Sequence, residues 1–199
     1  MITPDFEAFL SAVASGDDML AEDAVQSLYR NGDGSLDRLL DLAASGDDDL
    51  RWWAVRALSV AAEDHQQQRV EVIPALTEAL GDSDDSVRCL AALSLGQLHA
   101  TSAIPALMLL LADPSGWVRG AAADGLAMMG EAAVPALGSA LHDRREGVRV
   151  RAAYALHRIR SLASARWLFP ALNDPNPIVH TYVYETLDDL GLLNTILVQ

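Results

Sequence analysis

The segments LRWWAVRAL, VRCLAALSL, VRGAAADGL, VRVRAAYAL and VHTYVYETL begin at Leu50, Val87, Val118, Val148 and Val179 and align without gaps. A fainter copy precedes them, since ASGDDMLAEDAVQSL (14–28) matches ASGDDDLRWWAVRAL (44–58) at a spacing of 30 residues. The successive periods are 30, 37, 31, 30 and 31 residues. This self-similarity constrains the chain more than any other feature. A unit of that length cannot bury its own apolar face, and stacked copies can.

Leu stands eight residues after the start of each copy, at Leu28, Leu58, Leu95, Leu126, Leu156 and Leu187. A small or apolar residue stands at the fourth, at Ala24, Ala54, Ala91, Ala122, Ala152 and Val183. Spacings of four and eight define one face of a helix. Upstream lies a second periodic segment, IPALTEAL, IPALMLLL and VPALGSAL, whose Pro74, Pro105 and Pro135 suit a helix's first turn. Between the two sits a capping signal: Ser15, Ser45, Asp82, Asp113, Asp143 and Asp174, with Asp18, Asp48, Asp85 and Glu146 three residues further on. Pro114 and Pro175 follow the cap at the expected first helical position. The expected unit is therefore helix–turn–helix.

The matching residues resemble the short HEAT-like repeats named after phycobilisome (bilin) lyases. They are the Pro-Ala-Leu of the first helix, the Asp of the turn, and the Val-Arg-x-x-Ala-Ala-x-x-Leu of the second helix. The resemblance covers nearly the whole chain. It is strongest over 73–160, weaker over 35–60 and 163–191, and faint over 5–30. It implies an all-α, right-handed α-solenoid of six HEAT-like helix pairs, read as one domain over 1–199. The units fall at 5–32, 35–62, 72–100, 103–131, 133–161 and 163–191, with an apolar tail at 192–199. Repeats of this type occur in scaffolds, lyases and hydroxylases alike, so the fold alone does not name an activity. Deoxyhypusine hydroxylase is similar in its repeats and holds iron through His-Glu pairs. Here no His is followed by Glu, so the chain departs from that enzyme at the decisive residues.

Residues that repeat belong to the core and the turn. Arg51, Arg88, Arg119 and Arg149 form a ladder expected to reach the turn Asp or carbonyls of a neighbouring unit. In a right-handed stack the second helices line the concave face, so their unrepeated positions spell the recognition surface. The expected contact residues are Trp52, Trp53, Arg56, Leu90, Leu93, Met128, Arg151, Tyr154, Arg158 and Tyr182. Trp53 is open to a core reading as well. Arg151, Tyr154 and Arg158 share a helical face, and guanidinium groups beside an aromatic ring suit carboxylates or phosphates. The other reading of Arg144–Arg166 is a solvated basic face that balances the acidic N-terminal part.

That part is markedly acidic: residues 1–64 hold 14 Asp and Glu against 4 Arg, a balance of −10 out of −14 for the chain. Such a surface repels phosphate backbones and disfavours nucleic acid. All 14 basic residues are Arg, which excludes lysine Schiff-base and P-loop chemistry. The five His are scattered, and there is no Gly-rich phosphate loop or nucleophile elbow. No catalytic residue, metal ligand or cofactor site is therefore assigned. With one cysteine, no apolar span and no leader, a cytoplasmic chain is expected. The expected function is a non-enzymatic scaffold that binds a protein partner. The alternative implied by the resemblance is a bilin lyase-like or bilin-handling subunit. The inserted residues within AAEDHQQQRVEV (61–72) read as an exposed loop or a helix extension. The apolar tail either folds over the last unit or serves a homo- or hetero-oligomer.

Overall fold

The computed structural model describes residues 3–30 and 36–193. Among them the regular structure is helical throughout, in six antiparallel-type pairs joined by short turns. The pairs are α1 (Pro4–Ser15) with α2 (Asp18–Arg30), α3 (Leu36–Ala43) with α4 (Asp48–Asp64), and α5 (Arg69–Ala79) with α6 (Asp85–Gln97). They continue as α7 (Ile104–Leu110) with α8 (Gly116–Met128), α9 (Val134–Ala140) with α10 (Glu146–Ile159), and α11 (Ala165–Ala171) with α12 (Pro177–Asp189). The chain divides into two compact units, Met1–Ser94 and Leu95–Gln199, with α6 running across the division.

In the N-terminal unit α1 packs on α2, α3 on α4, and the second helices α2 and α4 on each other. In the C-terminal unit the same rule gives two layers: first helices α7, α9 and α11 in one, second helices α8, α10 and α12 in the other. The eighth-position leucines make the core of each unit: Leu28, Leu58, Leu95, Leu126, Leu156 and Leu187 are all fully buried. A second column runs through the first helices at the same periods: Phe9, Leu39, Leu76, Leu107, Leu137 and Leu168, all equally buried. Three of these lack the Pro-Ala-Leu signature, so the column reveals the repeat where the sequence pattern fades. Burying each such side chain contributes about 1.5–3 kcal/mol against leaving it in water.

Several local expectations are corrected. Ser15, Ser45, Asp82, Asp113, Asp143 and Asp174 are not N-caps. Each accepts from the backbone N–H two residues on, at 3.2, 3.3, 2.8, 2.8, 2.8 and 2.8 Å respectively, and so closes an Asx- or Ser-turn before the helix begins. The capping oxygens sit two residues later: Asp17, Asp47, Asp84 and Asn176 accept from first-turn amides. Pro114 and Pro175 consequently lie in the turn, not in the helix. Pro105 and Pro135 do open their helices, whereas Pro74 lies inside α5. That helix starts early because the inserted residues extend α4 to Asp64 and α5 back to Arg69 around a single 3₁₀ turn at Gln66–Gln68. The insertion is thus a helix extension, held by Arg69, whose Nε donates to the Ala62 carbonyl at 2.8 Å.

A further periodic feature closes the second helices. The residue twelve after the start of the copy takes the left-handed conformation at His99, Gly130, Arg160 and Gly191, with φ of 50, 61, 50 and 71°. Glycine adopts this freely and the other two do not. Leu20 also departs from the pattern. It is 53% exposed, and α2 turns Ala21, Val25 and Leu28 inward instead.

Candidate functional site

The repeated Arg residues are spent on the frame. Arg51 donates to both carboxylate oxygens of Asp82 (2.7 and 2.9 Å) and to its own turn at the Ser45 carbonyl (3.1 Å). Arg149 does the same with Asp174 (2.7 and 3.2 Å) and the Asp143 carbonyl (3.1 Å). Among the described residues Arg119 bonds only carbonyls of its own turn, Asp113 and Pro114, at 2.7 and 3.0 Å. The Asp143 carboxylate is instead held by Arg145, through its amide and its guanidinium.

What remains of the second helices is the candidate binding surface, and it differs between the two units. In the N-terminal unit Trp52 and Trp53 sit edge to face, 4.8 Å between centroids and 78° between planes. Trp52 is half-buried, but Trp53 is only 8% exposed and belongs to the core side of α4. Val60, two turns further along α4, is core as well. Leu90 and Leu93 are half-buried on α6. Arg56 is spent on a forked pair with Glu22 at 3.0 and 2.6 Å, and that guanidinium holds the Glu22 carboxyl below its ordinary range. Around Trp52 and Trp53 lies a cavity of about 310 Å³, completed by Asp18, Asp49 and Ser86.

In the C-terminal unit the structure brings together Asp124, Tyr154 and Arg158. The Tyr154 hydroxyl donates to Asp124 Oδ1 at 2.8 Å, and Arg158 donates to that same oxygen at 3.0 Å and to the Tyr154 hydroxyl at 2.9 Å. Burial and the bond to Asp124 push the Tyr154 phenol up, against the opposing effect of Arg158. Tyr182 meets Tyr154 edge-on at 5.7 Å and lies 5.6 Å from the His157 ring. Arg158 is therefore already neutralised by Asp124, which weakens its expected role as an anion contact. Arg151 is half-buried and, among the described residues, has no hydrogen-bond or ion-pair partner. Met128 is half-buried at the end of α8. Among the described residues no three His, Cys, Asp or Glu side chains come together where they could hold a metal ion.

The position just before each copy varies without a pattern in the sequence. There the structure exposes Met19, Trp117 and Ile178 at 80, 82 and 51%. The only signal was chemical: a Trp opening a helix beside Gly and Ser.

The family described as HEAT repeats matches residues 73–149. Over those residues the chain carries HEAT repeats. No curated protein matches it. Among solved structures, the archaeal HEAT-like repeats protein from Thermococcus onnurineus NA1 is similar at a TM-score of 0.63 and 16% identity, over 96% of this chain and 81% of that one. The complex of CpcE and CpcF of phycocyanin lyase from Nostoc sp. PCC7120 is similar at 0.53 and 23%, over 98% and 79%. A designed armadillo repeat protein in complex with the peptide (KR)4 is similar at 0.51 and 19%, over 92% and 98%. At these identities the likeness is one of fold. It shows an all-α fold like that of armadillo and HEAT-like solenoid proteins. No described helix is long and apolar enough to cross a membrane.

Proposed function

We propose that this HEAT-like protein is a cytoplasmic, non-enzymatic scaffold that binds a protein partner through the second helices of its repeats. One observation carries the reading. The repeated side chains are consumed by core and turn, while the second helices keep large, rigid, half-buried side chains that the frame does not require: Trp52 in one unit, Tyr154 and Tyr182 in the other. Aromatic and Arg side chains in such settings dominate protein–protein affinity. Arg151, half-buried beside that aromatic group in sequence register and without a partner among the described residues, supplies the cation for an acidic group.

The test is affinity capture from the source cytosol with the full chain as bait, alongside Trp52→Ser and Tyr154→Ser. A partner retained by the parent and lost from both variants supports the scaffold. Retention by both variants removes these faces from the interface. The apolar tail proposed for oligomer formation lies from residue 194 onward outside the described residues. Mass measurement in solution, with and without the tail, tests that part.

The bilin-handling alternative has the fold likeness to CpcE and CpcF behind it. With Arg158 bonded to Asp124, Arg151 is the cation left on that face for a propionate. A bilin absorbance titration separates the readings: a red-shifted, saturable complex lost in Arg151→Ala favours the alternative.

A further inference from the structure

The cavity of about 310 Å³ in the N-terminal unit is lined by two aromatic side chains, Trp52 and Trp53, and two acidic ones, Asp18 and Asp49. Its wall is the Trp52–Trp53 pair, set at 78° so that the two indoles form a corner. Asp18, from the first turn of α2, and Asp49, from the first turn of α4, bring carboxylates to its edge, and Ser86 of α6 completes it. Neither Asp18 nor Asp49 is the capping residue of its helix, because Asp17 and Asp47 do that.

These carboxylates are not counter-ions for the protein itself. Among the described residues neither has a hydrogen-bond or ion-pair partner. The described Arg side chains of the same unit are engaged elsewhere: Arg51 with Asp82, Arg56 with Glu22, Arg38 over the Phe6 ring, Arg69 on the Ala62 carbonyl and Arg88 on the turn carbonyls of Asp82 and Ser83. Residues 1–64 carry a balance of −10. An indole corner with unpaired carboxylates is complementary to one chemistry, a flat cation that stacks on a ring while its N–H groups fork onto oxygen.

We infer that this cavity receives an arginine side chain from a basic peptide segment of the partner. The inference rests on the scaffold reading and adds to it the class of segment held by the N-terminal unit.

The experiment uses the full chain and a fluorescent octapeptide of alternating Arg and Ser, followed by anisotropy. The same titration is run with the Lys–Ser and Glu–Ser counterparts. The structure calls for saturable binding of the Arg peptide, at least about threefold weaker binding of the Lys peptide, and none of the Glu peptide. Two acid-removing variants share one charge change: Asp18→Asn with Asp49→Asn at the cavity, and Glu7→Gln with Asp37→Asn on exposed surface elsewhere. The cavity pair should weaken Arg-peptide binding at least tenfold and the distant pair no more than twofold. Ser86→Arg, which tethers a guanidinium beside the cavity while leaving both Trp residues in place, should block the peptide without loss of helical circular dichroism. Equal weakening by the two acid pairs reduces the effect to net charge and overturns the inference, as does absence of Arg-peptide binding. That failure leaves the scaffold reading standing on the Tyr154 arm of the capture experiment, which lies in the other unit and does not involve this cavity.

Discussion

Arg51 forks onto both carboxylate oxygens of Asp82, 31 residues further along, and the same fork recurs 25 residues apart between Arg149 and Asp174. These bonds tie the second helix of one repeat to the turn of the next. Among the described residues Arg119 has no such fork and bonds its own turn carbonyls alone. Arg51→Ala and Arg149→Ala should therefore each lower Tm more than Arg119→Ala does. Thermal melts of the three variants check the ranking, and a larger loss at Arg119 would contradict it.

The same forks fix the response to acid. Burial pushes the Asp82 and Asp174 carboxyls up, but the guanidinium of Arg51 or Arg149 and a turn amide outweigh it, so both lie below the ordinary 3.8. Arg145 lowers Asp143 to about 2. A carboxyl depressed in the folded state contributes stability that is present above its unfolded value and lost as pH falls through its folded one. Tm contributed by these groups should be flat from pH 7 to about 5 and should fall from about pH 4 towards 2. Arg51→Ala should make that acid limb shallower. An unchanged limb in the variant would show that the fork does not set it.

Two glycines are demanded by packing and one is not. A Cβ on Gly138 would lie 2.3–2.6 Å from ring atoms of Trp167, and one on Gly96 would lie 2.5 Å from the Gly125 Cα. Gly138→Ala and Gly96→Ala should each cost about 1–3 kcal/mol by overpacking, with Gly96 the worse because backbone cannot swing aside. Gly120, inside α8 with nothing within 4 Å of its Cβ direction, should tolerate Ala and gain about 0.5–1 kcal/mol. Urea titrations of the three variants decide the signs.

At the end of α6, His99 holds a left-handed φ of 50° where the later repeats place Gly130 and Gly191. His99→Gly should stabilise by up to about 1 kcal/mol, since a side chain in this conformation is strained. A loss of stability would mean that His99 makes a compensating interaction.

The period, the six pairs and the eighth-position leucines were legible because hydrophobic spacing and core burial are the same fact seen twice. Caps were misplaced by two residues. A repeated Asp marks a turn, but whether it caps or closes an Asx-turn depends on backbone between it and the helix that the spacing does not fix. Trp53, Val60 and Trp117 show the other limit. Adjacent residues such as Trp52 and Trp53 differ by about 100° around a helix. The sequence tells which positions vary, while the rotation of the helix against its neighbour decides which of them are covered. Arg158 was legible as a cation but not as one already matched by Asp124, because that pairing joins different repeats.

The most direct test of the account asks whether the varied residues recognise and the repeated ones hold the fold. Trp52→Ser and Tyr154→Ser are compared with Leu58→Ala and Leu156→Ala for partner affinity and unfolding free energy. The leucine variants should lose about 2–5 kcal/mol of stability. The aromatic variants should lose less stability than the leucine pair and about 2 kcal/mol or more of binding. Aromatic variants that bind the partner as the parent does, while unfolding as readily as the leucine variants, would contradict the claim that these faces are a recognition surface.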